Sequence, residues 1–315
     1  MIINWLTLVT EFWAASLAQD RMPHALMLVG ISGTGKRSAA AWLARKSLNL
    51  IVDAEPEYPL EIPQHADIRW IRPVEDKKTI GINQIRELVA ELSLTSYEGV
   101  GKVAVIEPAD AMTSSAANGL LKTLEEPAGD TLLILVVDRQ GHIPATIYSR
   151  CHRLKISVPS EHTSLAWLKN VRPGTDWRPL LWNVGGAPLA AVEEFERIDD
   201  TKVMAEEFLA IGVGKTGPLG VAAKWSKYEP DFVLGWLSRQ IQRCITSGFL
   251  DSNSDRSPRV GDYVLNNIDR RNLFCYLDKI NRLKSQPVGS YNAQLAFECL
   301  LIDWYQGLES LSVPE

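Results

Sequence analysis

Gly30-Ile31-Ser32-Gly33-Thr34-Gly35-Lys36-Arg37 decides how this chain is read. The spacing G-x-x-x-x-G-K is that of a phosphate-binding loop, whose backbone N–H groups and lysine cradle the phosphates of a nucleotide. The apolar run Ala25-Leu26-Met27-Leu28-Val29 in front of it reads as a buried strand. The Ala- and Leu-rich stretch Ser38 to Leu48 behind it reads as a helix. Strand, glycine-rich loop and helix in that order open a parallel α/β sheet, with the loop at the carboxyl end of the strand, where such sheets bind ligands. The pattern asks for Ser or Thr after the lysine, because a hydroxyl there ligates the Mg²⁺ that accompanies a nucleoside triphosphate. Arg37 stands in that place, and a guanidinium has only donors and cannot bind a metal.

Outward from the loop, further strands are expected at Asp67 to Ile71, Lys102 to Ile106, Thr131 to Val137 and Arg153 to Ile156. Helical spacing of apolar residues marks Ile82 to Leu92 and Ser114 to Leu124 between them. Strands separated by helices of that length predict a parallel sheet covered on both faces. A working hydrolase of this type needs a second strand ending in acids, one for the metal and one to orient water. Val103-Ala104-Val105-Ile106 ends in Glu107 and Pro108. Glu107 can serve a metal, but Pro108 has no side-chain base. Arg37 and Pro108 are therefore two independent defects, and efficient hydrolysis is not expected. Gly30, Gly33, Gly35, Lys36, Arg37 and Glu107 remain as a degenerate nucleotide site. It either binds ATP or phosphate without hydrolysing it, or keeps its glycines only for the strand-to-helix turn.

After Pro159 the strand patterns stop. Pro173-Gly174 and Gly185-Gly186-Ala187-Pro188 punctuate a small helical segment, and a third, helical segment follows to the end. Three domains are expected: 1–158, an α/β domain; 159–203, a helical lid; and 204–315, an all-α domain. In the last, Leu295, Cys299 and Ile302 share a face of the helix Asn292 to Tyr305, and Asp251 to Pro258 reads as an exposed polar loop.

Charge and cysteine usage exclude some functions. The net charge is −5, which argues against a chain that wraps DNA by itself, since phosphate contacts need clustered Lys and Arg. The four cysteines are scattered without a CxxC pair, which suits free thiols in a reducing cytoplasm. No apolar run reaches the length of a membrane span, and the amino terminus lacks the basic start of a signal peptide. A cytoplasmic protein is expected. Cys151 and His152 are adjacent, so on a strand they point to opposite faces and cannot form a nucleophile–base pair.

The order of the remaining motifs is more specific. Ala116-Ala117-Asn118-Gly119-Leu120-Leu121-Lys122-Thr123-Leu124-Glu125-Glu126-Pro127 is followed about twenty residues on by Ser149-Arg150-Cys151. Pro23-His24-Ala25-Leu26 precedes the loop, and Ile82-Asn83-Gln84-Ile85-Arg86-Glu87-Leu88 and Asn292-Ala293-Gln294-Leu295 add to the set. Densely from about residue 20 to 158, and thinly beyond, the chain resembles the clamp-loader branch of the AAA+ ATPases, and within it the delta-prime family of bacterial DNA polymerase III. The resemblance implies an AAA+ P-loop domain, a lid and a C-terminal collar. It also implies a ring of related subunits that opens a sliding clamp and places it on primed DNA, with gamma/tau-type ATPase subunits and a delta subunit as partners. In that family the arginine of Ser-Arg-Cys projects into a neighbour's ATP site, and Arg150 matches it. An arginine there spreads positive charge over the transferring phosphoryl group.

The departures from the family point one way. Many members carry a four-cysteine zinc module, but Lys46 to Arg69 has no cysteine and only His65 as a candidate ligand, so no zinc is expected. Asp53 to Gln64, with three prolines, reads as a replaced loop. The lid position of the nucleotide-sensing arginine falls in Gly185 to Leu189, which has none. The sensor on the fourth strand falls near Val137 or Asp138, where a carboxylate would repel a γ-phosphate. Two other readings stay open from sequence. One is an active ATPase using Glu107 and an unorthodox metal shell. The other is an ATP-dependent regulator outside replication.

Overall fold

The apolar runs become strands because each can be buried on both faces. A computed structural model describes residues 1–51, 54–75, 77–138, 141, 143–247, 268–286 and 291–309. The chain divides into two compact units, Met1–Glu196 and Arg197–Glu315.

Among the described residues of the first unit, five strands form one sheet: β1 (Ala25–Val29), β2 (Ile68–Ile71), β3 (Lys102–Ile106), β4 (Thr131–Val137) and β5 (His152–Lys155). Their order is β2-β3-β4-β1-β5, and every pairing is parallel. All of β1 and β4 is buried, as suits central strands with helices on both sides. The helices are α1 (Thr7–Ala18), α2 (Lys36–Ser47), α3 (Ile82–Leu92), α4 (Ser114–Glu125), the short α5 (Ala145–Tyr148), α6 (Glu161–Val171), α7 (Arg178–Asn183) and α8 (Pro188–Glu196). This is the parallel α/β sheet with flanking helices expected from the motifs. The helices expected as a lid, α6 to α8, fall within the first unit.

Local chemistry sets the boundaries. Gln84 Oε1 accepts from the Gly81 N–H at 3.1 Å and fixes the start of α3. Thr113 Oγ1 accepts from the Ala116 N–H at 3.2 Å and caps α4. α3 and α4 bury Ile85, Leu88, Leu120 and Leu124 in one core. Gly119 lets them approach, since a Cβ there would lie 2.7 Å from Ile82 Cδ1. Just before β2 begins at Ile68, the Asp67 carboxylate accepts backbone N–H groups from Tyr97 (2.8 Å) and Glu98 (3.1 Å). Burial raises the Asp67 pKa, but these amide donors together with nearby His65 and Lys102 hold the carboxyl below its ordinary value.

The second unit contains α9 (Ile198–Gly212), α10 (Pro218–Trp225), α11 (Pro230–Ser247), α12 (Arg270–Lys284) and α13 (Ala293–Tyr305). Phe208 stacks on Trp304 with ring centroids 4.2 Å apart, and Trp304 Nε1 donates to the Phe208 carbonyl at 3.1 Å. The face of α13 turned to this core is Phe297, Leu300, Leu301 and Trp304, while Leu295 is 58% exposed. The stripe Leu295-Cys299-Ile302 is therefore not the side buried in this core. α13 is apolar on both sides, and the side carrying two aromatic rings is the one buried. The expected loop Asp251 to Pro258 lies outside the described residues. Among the described residues no helix is long and apolar enough to cross a membrane.

Candidate functional site

The loop that follows β1 adopts the turn its glycines permit. Gly33 and Gly35 have φ of +80° and +95°, in the left-handed region that favours glycine, and Gly35 caps α2. Contacts from distant parts of the first unit then close over the loop. The Leu189 N–H donates to the Gly33 carbonyl at 3.1 Å. A Cβ on Gly33 would lie 2.4 Å from Ala190 Cβ. Trp5 Nε1 donates to the Thr34 carbonyl at 2.9 Å. Leu189, at the end of the segment Gly185 to Leu189, thus ties α8 to the loop through its backbone.

The charged groups of the site are satisfied from within the chain. Lys36 is 3% exposed. Its Nζ donates to the Ile31 carbonyl at 2.6 Å and pairs with Asp138 Oδ1 at 2.7 Å. Asp138 is there because Val137 pairs with Val29, which sets the residue just after β4 beside the loop. Its own N–H donates to Asp110 Oδ1 at 2.9 Å. Glu107, 6% exposed, forms an ion pair with the Arg37 guanidinium. Its other oxygen accepts from Trp70 Nε1 at 2.6 Å and from Arg72 Nη2 at 2.8 Å. A carboxylate held by two guanidiniums and an indole N–H has its charge and lone pairs already engaged. Sequence alone does not reach Trp70 and Arg72. The signal for Arg72 is the register, since Ile71 pairs with Ile106 and the next residues, Arg72 and Glu107, are neighbours.

The structure brings Gly30, Gly33, Gly35, Lys36, Arg37 and Glu107 together at the carboxyl ends of the strands and leaves Arg150 elsewhere. Arg150 follows α5 and precedes β5, at the amino end of the sheet. His152 pairs with Leu26 and Lys155 with Val29, so Arg150 stands about six residue steps, roughly 20 Å, from the level of Gly30 along parallel strands. No arginine side chain covers that span. Arg150 is at the surface, with its side chain 35% exposed and paired with Glu125 of α4. Beside it Cys151 is buried, which pushes its thiol up to about 12 and leaves no thiolate at neutral pH. Among the described residues no group of His, Cys, Asp or Glu side chains is placed to hold a metal ion.

A family model described as DNA polymerase III, delta subunit, matches residues 6–160. DNA polymerase III subunit delta' of Pseudomonas aeruginosa is 34% identical to the chain over 189 residues, 57% of this chain and 58% of that one. The delta' subunit of Haemophilus influenzae is 28% identical over 249 residues, 74% of this chain and 75% of that one. The delta' subunit of Bacillus subtilis is 39% identical over 145 residues, 44% of each chain. The match to the Pseudomonas protein spans little more than half of that relative's length.

Proposed function

The chain belongs to the DNA polymerase III delta-prime family, and from that premise we propose that it is a non-hydrolysing subunit of a bacterial clamp loader. In this reading it lends Arg150 to a neighbouring ATPase subunit while the assembly places a sliding clamp on primed DNA. The observation that carries the reading is the internal pairing of both charged poles of the nucleotide site: Lys36 with Asp138, and Glu107 with Arg37.

These residues do not fit a magnesium nucleotide as they stand. A triphosphate would have to displace the Asp138 carboxylate from Lys36 and then lie beside it as a like charge. A magnesium ion would find Glu107 neutralised and a guanidinium where a hydroxyl ligand belongs. The site therefore works as a rigid junction that needs no nucleotide of its own. The same pairing weighs against the active-ATPase reading, which relies on Glu107 as its metal ligand. Arg150 lies at the far end of the sheet from its own loop, so a phosphate it meets belongs to another chain. Gamma/tau-type ATPase subunits and a delta subunit are the partners this reading names, and the second unit, with Leu295 exposed on α13, serves as the collar.

The test is reconstitution with the other clamp-loader subunits. Arg150→Ala should leave the chain folded and incorporated. At the one neighbouring site it should lower turnover about 10³-fold or more, as loss of an arginine finger does, so total clamp-stimulated hydrolysis falls by that site's share. Unchanged hydrolysis, or brisk ATP turnover by the isolated chain, would sink the reading.

A further inference from the structure

The Arg150 guanidinium is already occupied. Its Nε donates to Glu125 Oε1 at 2.8 Å, and Nη2 lies 2.5 Å from the same oxygen. Nη1 donates to the Thr146 carbonyl at 2.8 Å and to Ser149 Oγ at 3.3 Å. A guanidinium has five N–H bonds, and these contacts engage four of them. The paired, fork-like grip that suits arginine to a phosphate is not available in this pose. Glu125 is also an odd residue for its place. It ends α4, where the helix macrodipole disfavours a carboxylate, so the stability of α4 does not call for it. What the carboxylate does offer is a planar anion that satisfies the arginine as a phosphoryl group would.

We propose that Glu125 is a positioning residue for Arg150. It parks the guanidinium against the carboxyl end of α4 and yields it when a neighbour's triphosphate arrives. The inference rests on the reading of Arg150 given above and deepens it: the finger engages by exchanging one anion for another. The two side chains are 35% and 50% exposed, so the restraint is weak. A polyphosphate, with more charge than one carboxylate, wins the exchange. With no nucleotide next door, the arginine returns to Glu125.

The experiment compares the reconstituted assembly carrying wild type, Glu125→Gln, Arg150→Ala and the double variant. Steady-state ATP hydrolysis is followed against ATP concentration, with clamp and primed DNA present. Glutamine keeps the shape of Glu125 and removes its charge. Glu125→Gln should lower the apparent KM for ATP about two- to five-fold, the range an exposed ion pair accounts for, and move kcat less. The difference should shrink at high salt, where exposed charges are screened, and vanish in the Arg150→Ala background. An unchanged KM, or the same shift in the Arg150→Ala background, overturns the proposal, and the finger reading survives if Arg150→Ala alone lowers turnover. If Arg150→Ala has no effect, both fall together.

Discussion

Lys36 would be read as an anion-binding group in any phosphate loop, yet here the anion is Asp138, 2.7 Å away. The sequence makes Asp138 visible as a charge that would repel a γ-phosphate, because it follows a strand that ends beside the loop. It does not show that the same charge neutralises the lysine, since that depends on a distance between side chains 102 positions apart in sequence. Arg37 has the same history: its failure to bind a metal is plain from its chemistry, and its pairing with Glu107 is a product of folding. Asp138→Asn should release Lys36 for an external anion. A like charge about 4 Å from an anion costs several kcal/mol at a partly buried site, so affinity for ATP should rise on the order of tenfold or more. Arg37 still bars a metal, so the gain should not depend on magnesium. Titration calorimetry with and without Mg²⁺ checks this, and equal affinities of variant and wild type would refute it.

The strands and helices around the motifs are legible as elements because their signal is local. β1, β3 and β4 are continuous apolar runs, and α3 and α4 carry caps and a helical period. α1 has neither. Its N-cap is Leu6, without a side-chain cap, and it buries Ser16 while Leu8 and Leu17 face outward. The α8–loop contact is legible only as a missing arginine, because a backbone hydrogen bond to Gly33 leaves no mark in side-chain type. Gly33→Ala tests that contact. A side chain at φ +80° costs about 1–3 kcal/mol in backbone strain, and the new Cβ would collide with Ala190. The first unit should lose at least that much stability, and hydrogen exchange at the Leu189 amide should speed up. An unaltered Leu189 exchange rate would show that α8 is held by something else.

Across the whole molecule, each unit has its own core. That of the second is aromatic: Phe208 touches Trp225, Trp236 and Trp304. Phe208→Ala should destabilise Arg197–Glu315 by about 3–5 kcal/mol, read as an earlier calorimetric transition, while the unfolding of the α/β unit keeps its midpoint. A shift of both transitions together would mean that the units unfold as one. Arg150 and its own loop lie at opposite ends of the sheet. In the assembly proposed above, a row of related subunits in which each offers its guanidinium forward and its cradle backward, direction is built into every link. A member whose cradle is shut by its own lysine–aspartate pair can give but not receive. It can stand only at one terminus of the relay, so a ring that includes it has a seam.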